Sequence, residues 1–251
     1  MTKQHGFLGH TILQGTQETH NPRRAVIVLT LIVLTCCNIT VWAQEIEPKG
    51  KADVSQLISV GVAGGMTLFF RSLSINQAPS DCGPCDRATV PAYDRWAIHD
   101  PIELYSNMSD YLLLGLALGT WIDLTATEGS KAAFSSIEAT GWTLAATELS
   151  KMLFGRKRPV LYTDRAPDEV DKTENLRSMP SGHTSVAFAL ATSYILNTRD
   201  RENKFPAILA GAAAVSIGVL RVAAGSHFPS DVVVGAAVGM GGAAVVYQIR
   251  F

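Results

Sequence analysis

A chain of 251 residues is long enough for one sizeable domain. Charged residues make up 17% of it, below the usual quarter, hydrophobic residues make up 47%, and the formal net charge is −1. That balance excludes a nucleic-acid footprint, and the sequence holds neither a low-complexity tract nor a tandem repeat.

The first segment reads as an export element. Arg23 and Arg24 precede an uncharged stretch from Ala25 to Gln44, and Val41-Trp42-Ala43 has the small-residue pattern of a cleavage site. The polar leader ahead of Arg23 is long for a signal peptide. Residues 1–43 are therefore expected to be an export signal or an N-terminal anchor, with the functional domain over 44–251.

Six apolar segments follow: Val54–Phe70, Tyr111–Ile122, Ala132–Leu153, Thr184–Thr198, Phe205–Leu220 and Val232–Gln248. The first and last have spanning length without charges, whereas the third carries Glu138 and Glu148. The mean hydropathy of +0.17 is low for a polytopic protein. Against that, Gly61/Gly65, Gly115/Gly119 and Gly235/Gly239 have the spacing that lets helices pack closely in lipid. The same small residues also suit a tight soluble bundle. The predicted fold class is all-α: a bundle of about six membrane-embedded helices with a site at one end.

Between the first two segments lies Cys82-Gly-Pro-Cys85, in a polar loop. It reads as a short structural disulfide of an oxidising compartment. The quartet is also a thioredoxin-type redox motif, but no βαβ pattern surrounds it. His5, His10, His20 and His99 lack partners at ligand spacing and read as surface residues.

Three blocks carry the chemistry. Lys151 and Arg158 stand about two helical turns apart, so a helix through both would set them on one face, ending at Pro159. They would clamp a phosphoryl group, although Arg156-Lys157-Arg158 also reads as a basic helix end facing lipid headgroups. Pro180-Ser181-Gly182-His183 opens the fourth segment. Ser181 is a good N-cap, Gly182 lets backbone amides approach an anion, and His183 sits in the first turn. An ordinary cap beside a solvated histidine fits this block equally. In the third block Arg221 precedes His227, and Asp231 follows it after Phe228-Pro229-Ser230. Asp231 could reach back to fix the tautomer of His227, as a triad carboxylate does. A capping Asp beside a chance His fits as well.

In this order and spacing the blocks resemble the signature of the type 2 phosphatidic acid phosphatase superfamily. That pattern is Lys, six residues, Arg-Pro; then Pro-Ser-Gly-His; then Ser-Arg, five residues, His, three residues, Asp. The one departure is Leu220, where the family usually has Ser, and the resemblance spans 151–231. It implies that His227 is the nucleophile that becomes phosphohistidine, that Asp231 orients it, and that His183 protonates the leaving oxygen. Lys151, Arg158, Ser181, Gly182 and Arg221 then form the phosphate cradle. Neither a metal nor a cofactor is implied, because three cations hold the charge.

The resemblance fits the membrane branch, whose lipid phosphate substrates and bacterial envelope setting become the expectation here. The site then lies at one side of the membrane, with 160–179 shaping its entrance. Arg199, Arg201 and Lys204 favour a cytoplasmic loop after the fourth helix, and so a site facing the periplasm from the inner membrane. The alternatives are a soluble periplasmic acid phosphatase and a non-catalytic redox or scaffold protein built on the Cys pair.

Overall fold

The computed structural model describes residues 51–73 and 79–251, so the 1–43 leader lies outside the described residues. Among the described residues, six long helices form a bundle: α1 Val54–Leu73, α2 Glu103–Thr127, α3 Ser130–Phe154, α4 Gly182–Asn197, α5 Phe205–Ala223 and α6 Pro229–Arg250. Short 3-10 turns interrupt the two long connections, and no strand occurs among the described residues.

The shortest helix, α4, lies at the centre and touches α2, α3, α5 and α6. Its buried face is made of small residues, Ala187, Ala189, Ala191, Ser185 and Ser193, around Leu190 and Tyr194. Small side chains let neighbouring backbones come close. The seam with α6 is the tightest. A Cβ on Gly239 would stand 2.2 Å from the Ser185 carbonyl oxygen, and one on Gly235 would stand 2.7 Å from that of Ser181. The other two Gly-xxx-Gly pairs do no such work: nothing lies within 4 Å of a Cβ at Gly61, Gly65, Gly115 or Gly119. The α1 helix packs instead through Ala63, whose methyl lies 3.2 Å from a Cβ built on Gly141 of α3.

By length and composition α1, α5 and α6 can cross a membrane. Their outer faces are apolar and exposed. Leu57, Ile58, Leu68 and Phe69 of α1, with Ile208, Leu209 and Val219 of α5, have no neighbours to cover them. Such a continuous apolar exterior is unusual for a surface facing water. The apolar segment over 205–220 is short for a span, and the structure extends α5 to Ala223.

Two boundaries depart further from expectation. The α2 helix starts at Glu103, well ahead of Tyr111; in its first turns Ser106 and Ser109 turn inward to Arg221, while Glu103, Leu104 and Asn107 are exposed. The α3 helix stops at Phe154, where Gly155 adopts a left-handed φ of 53° and its N–H caps the Lys151 carbonyl. Lys151 and Arg158 therefore do not share a helix face: Arg158 stands in the loop, just before the Pro159–Tyr162 turn.

Candidate active site

The last turn of α3, the first turns of α4 and α6, and the end of α5 meet at one end of the bundle. A backbone bond ties two of the blocks, from Ser181 N–H to the Asp231 carbonyl at 3.0 Å. Ser181 occupies the cap position of α4, but its hydroxyl accepts from Thr184 at 2.9 Å instead of from a backbone amide. The Lys151 ammonium lies over Gly182, 3.4 Å from where a Cβ would stand.

His227 sits in the turn between α5 and α6, 2% exposed. Gly225 makes that turn with φ +66°, and a Cβ there would come within 3.0 Å of the His99 carbonyl oxygen. His99 is therefore half-buried beside the site, with Nδ1 2.9 Å from the Asp100 carbonyl, and is not a free surface residue.

The nearest acceptor to His227 Nδ1 is the Ser178 carbonyl oxygen, at 2.8 Å. Asp231 Oδ2 is farther, at 3.7 Å. A carbonyl only accepts, so Nδ1 carries the proton and Nε2 the lone pair. Burial pushes the His227 imidazole down to about 3, which keeps it neutral.

Asp231 is fully buried and fully used. Oδ2 accepts from the Ser178 hydroxyl at 2.5 Å and the Phe228 N–H at 2.8 Å, and Oδ1 accepts from Arg156 at 2.6 Å. The other arm of Arg156 donates to Asp94 at 2.7 Å, and its guanidinium stacks 4.3 Å above the Phe228 ring. Asp94 in turn accepts from the backbone N–H of Ser230 at 3.1 Å.

The expected cradle residues differ in how far they are neutralised. Glu148 bonds Lys151 at 3.2 Å and Arg177 at 2.6 Å. Arg158 has no carboxylate within ion-pair distance among the described residues, and its Nε is buried without a partner. Burial pulls its guanidinium below the ordinary value. The charge of Arg158 acts on both His227 and Arg221. Arg221 is 5% exposed, bonded through Nη1 to Ser106 at 3.0 Å and Ser109 at 3.2 Å, while its Nε is also unpartnered. Buried cations with open donors form an anion site. Among the described residues, no group of three or more His, Cys, Asp or Glu side chains is placed to hold a metal ion.

His183, at the start of α4, is partly exposed and bonds Asp110 of α2 through Nε2 at 2.7 Å. Cys82 and Cys85 form a disulfide, with Cα atoms 5.0 Å apart, on the same end of the bundle. Lys157 of block one reaches Cys82 Sγ at 3.1 Å, and the Cys85 N–H donates to the Leu161 carbonyl at 2.8 Å.

Sequence reasoning passed over Asp94, Asp110, Glu148, Arg156, Ser178 and the serines of α2. The spacing of Ser106, Ser109 and Asp110 at i, i+3 and i+4 was a usable signal for a polar helix face. No curated protein and no solved structure matches the chain significantly. A sequence model of the PAP2 superfamily matches residues 132–251, the stretch that holds all three blocks, so over that stretch the chain is similar to the PAP2 superfamily.

Proposed function

We propose that the protein is a metal-independent phosphatase that hydrolyses a phosphomonoester or diphosphate of a membrane lipid through a phosphohistidine on His227. The superfamily match supports phosphatase chemistry. The observation that carries the mechanism is a buried, neutral His227, its Nδ1 engaged by Ser178, beside Arg158 and Arg221, whose buried Nε donors have no partner. The Nε2 lone pair attacks phosphorus while Lys151, Arg158 and Arg221 hold the non-bridging oxygens and stabilise the charge spread over them. His183 gives its proton to the leaving oxygen, and water then attacks the phosphohistidine. Asp231, buried nearby, favours the imidazole–phosphate cation formed on His227.

The apolar exteriors of α1, α5 and α6 support a membrane-held protein, and so a lipid as the phosphate carrier. The disulfide beside the site supports a site facing the oxidising side of the envelope, the periplasm in a bacterial inner membrane.

Purified protein offered a labelled phosphate ester and quenched in denaturing alkali should carry label on histidine. The label should be absent from His227→Ala and unaffected by excess chelator. Label that persists in the variant, or turnover that chelation stops and divalent metal restores, counts against the reading. Retention in the membrane pellet after a carbonate wash separates the lipid-phosphatase reading from a soluble acid phosphatase.

A further inference from the structure

The α2 helix precedes the stretch 132–251 that matches the superfamily, yet it builds one wall of the site. Ser106 and Ser109 hold Arg221, and one residue on, Asp110 Oδ1 stands 2.7 Å from His183 Nε2 and 3.9 Å from Arg221 Nη1. The charged groups that face His183 are Asp110 from α2, Arg221 from α5 and Lys151 from α3. Burial and the two cations pull the His183 imidazole down to about 4, and the carboxylate in contact opposes them. Asp110 is the one carboxylate of that set. Both partners are partly solvated, so the pair adds little to folding stability and its loss leaves the bundle intact.

We propose that Asp110 is a positioning residue for His183: it holds Nε2–H, stabilises the imidazolium that acts as the acid and leaves Nδ1–H to serve the departing oxygen. The proposal rests on the phosphatase reading above. As the bond from phosphorus to the departing oxygen breaks, its electron pair stays on that oxygen and the Nδ1 proton joins it. His183 is left neutral, with Nε2–H still on Asp110. In the second half, Nδ1 takes a proton from the water that attacks phosphohistidine, which restores the imidazolium and frees the His227 nitrogen.

The test uses the full chain in detergent micelles, with an alkyl phosphate and p-nitrophenyl phosphate as substrates. Asp110→Asn should lower kcat on the alkyl ester by roughly 10–100-fold, within the range of general acid catalysis, and on the aryl ester by less than about threefold. Asp110→Glu should restore most of the loss. Adding Asp110→Asn to His183→Ala should cost nothing more, since the two act through one proton. In histidine-labelled protein, the His183 titration midpoint should fall by about one pH unit in Asp110→Asn, the loss of one contacting anion. Equal losses on both esters, or an unmoved His183 midpoint, overturn the proposal. A moved midpoint in a wild-type chain that cleaves no phosphate ester overturns the reaction itself, a result distinct from an unmoved midpoint.

Discussion

Asp231 is bonded to Arg156 at 2.6 Å, but stands 3.7 Å from the His227 nitrogen it was expected to orient. The Ser178 carbonyl takes the place of the carboxylate at Nδ1. Where a carboxylate alone sets the tautomer, its amide replacement costs about 10⁴-fold in kcat. Here Asp231→Asn retains the carbonyl acceptor, so the loss in kcat should be well below ~10⁴-fold, whereas His227→Ala should abolish turnover. Steady-state kinetics on one substrate decide this, and equal losses would return the orienting role to Asp231.

Arg156 joins two buried carboxylates, Asp94 and Asp231. Arg156→Met leaves both without their cation, and removing one partner of a buried ion pair costs about 3–5 kcal/mol. The melting temperature should fall sharply and activity with it. Asp94→Asn retains a polar partner for Arg156 and Ser230 and should be milder by both measures. A variant Arg156→Met that melts with the wild type would contradict this.

Ser178 serves the site twice, through its carbonyl on His227 and its hydroxyl on Asp231. Ser178→Ala removes only the second. A hydrogen bond to a charged group is worth about 1.5–3 kcal/mol, so the variant should fold, lose stability by roughly that amount, and still form phosphoenzyme. Absence of the covalent species in a folded Ser178→Ala protein is the opposing result.

The two histidines should separate by leaving group. His183→Ala should cost about 10²–10⁴-fold on an alkyl phosphate and far less on an aryl phosphate that leaves unprotonated. Similar penalties on both would remove His183 from the role of acid.

Acid should weaken the fold through His227. Its imidazole titrates at about 3 when folded and near 6.5 when exposed. Between those values the unfolded chain binds a proton that the folded chain refuses. This contribution is whole above about pH 6.5 and is lost as pH falls toward 3. His227→Gln should flatten that part of the stability profile in melts from pH 7.5 to 5. An unchanged slope would place the acid sensitivity elsewhere.

Much of the bundle was legible because α1, α4, α5 and α6 are largely apolar runs, and α3 is an apolar stretch interrupted by Glu138 and Glu148. The first turns of α2 were missed: Ser106, Ser109 and Asp110 have helical spacing, but their purpose shows only with Arg221 and His183 opposite them. Lys151 and Arg158 were expected on one helix face, because Gly155 gave no warning that its left-handed φ would end α3. The Ser178 carbonyl carries no sequence signal at all, because every residue has one. The Gly61/Gly65 and Gly115/Gly119 pairs mislead for a related reason: spacing records where a neighbour fits, not whether this chain supplies it.

His183 rides on the start of α4, while His227 is anchored just ahead of α6. The gap between the two histidines is thus metered by how deeply those two helices interlock. At Gly239 a single methyl would sit 2.2 Å from the Ser185 carbonyl, closer than any real contact, so the helices must part to admit it. Gly239 is about two turns beyond Asp231, roughly 12 Å along the axis. An alanine there would touch neither phosphate nor histidine, yet it would act as a wedge that lengthens the reach every proton and phosphoryl group must cross.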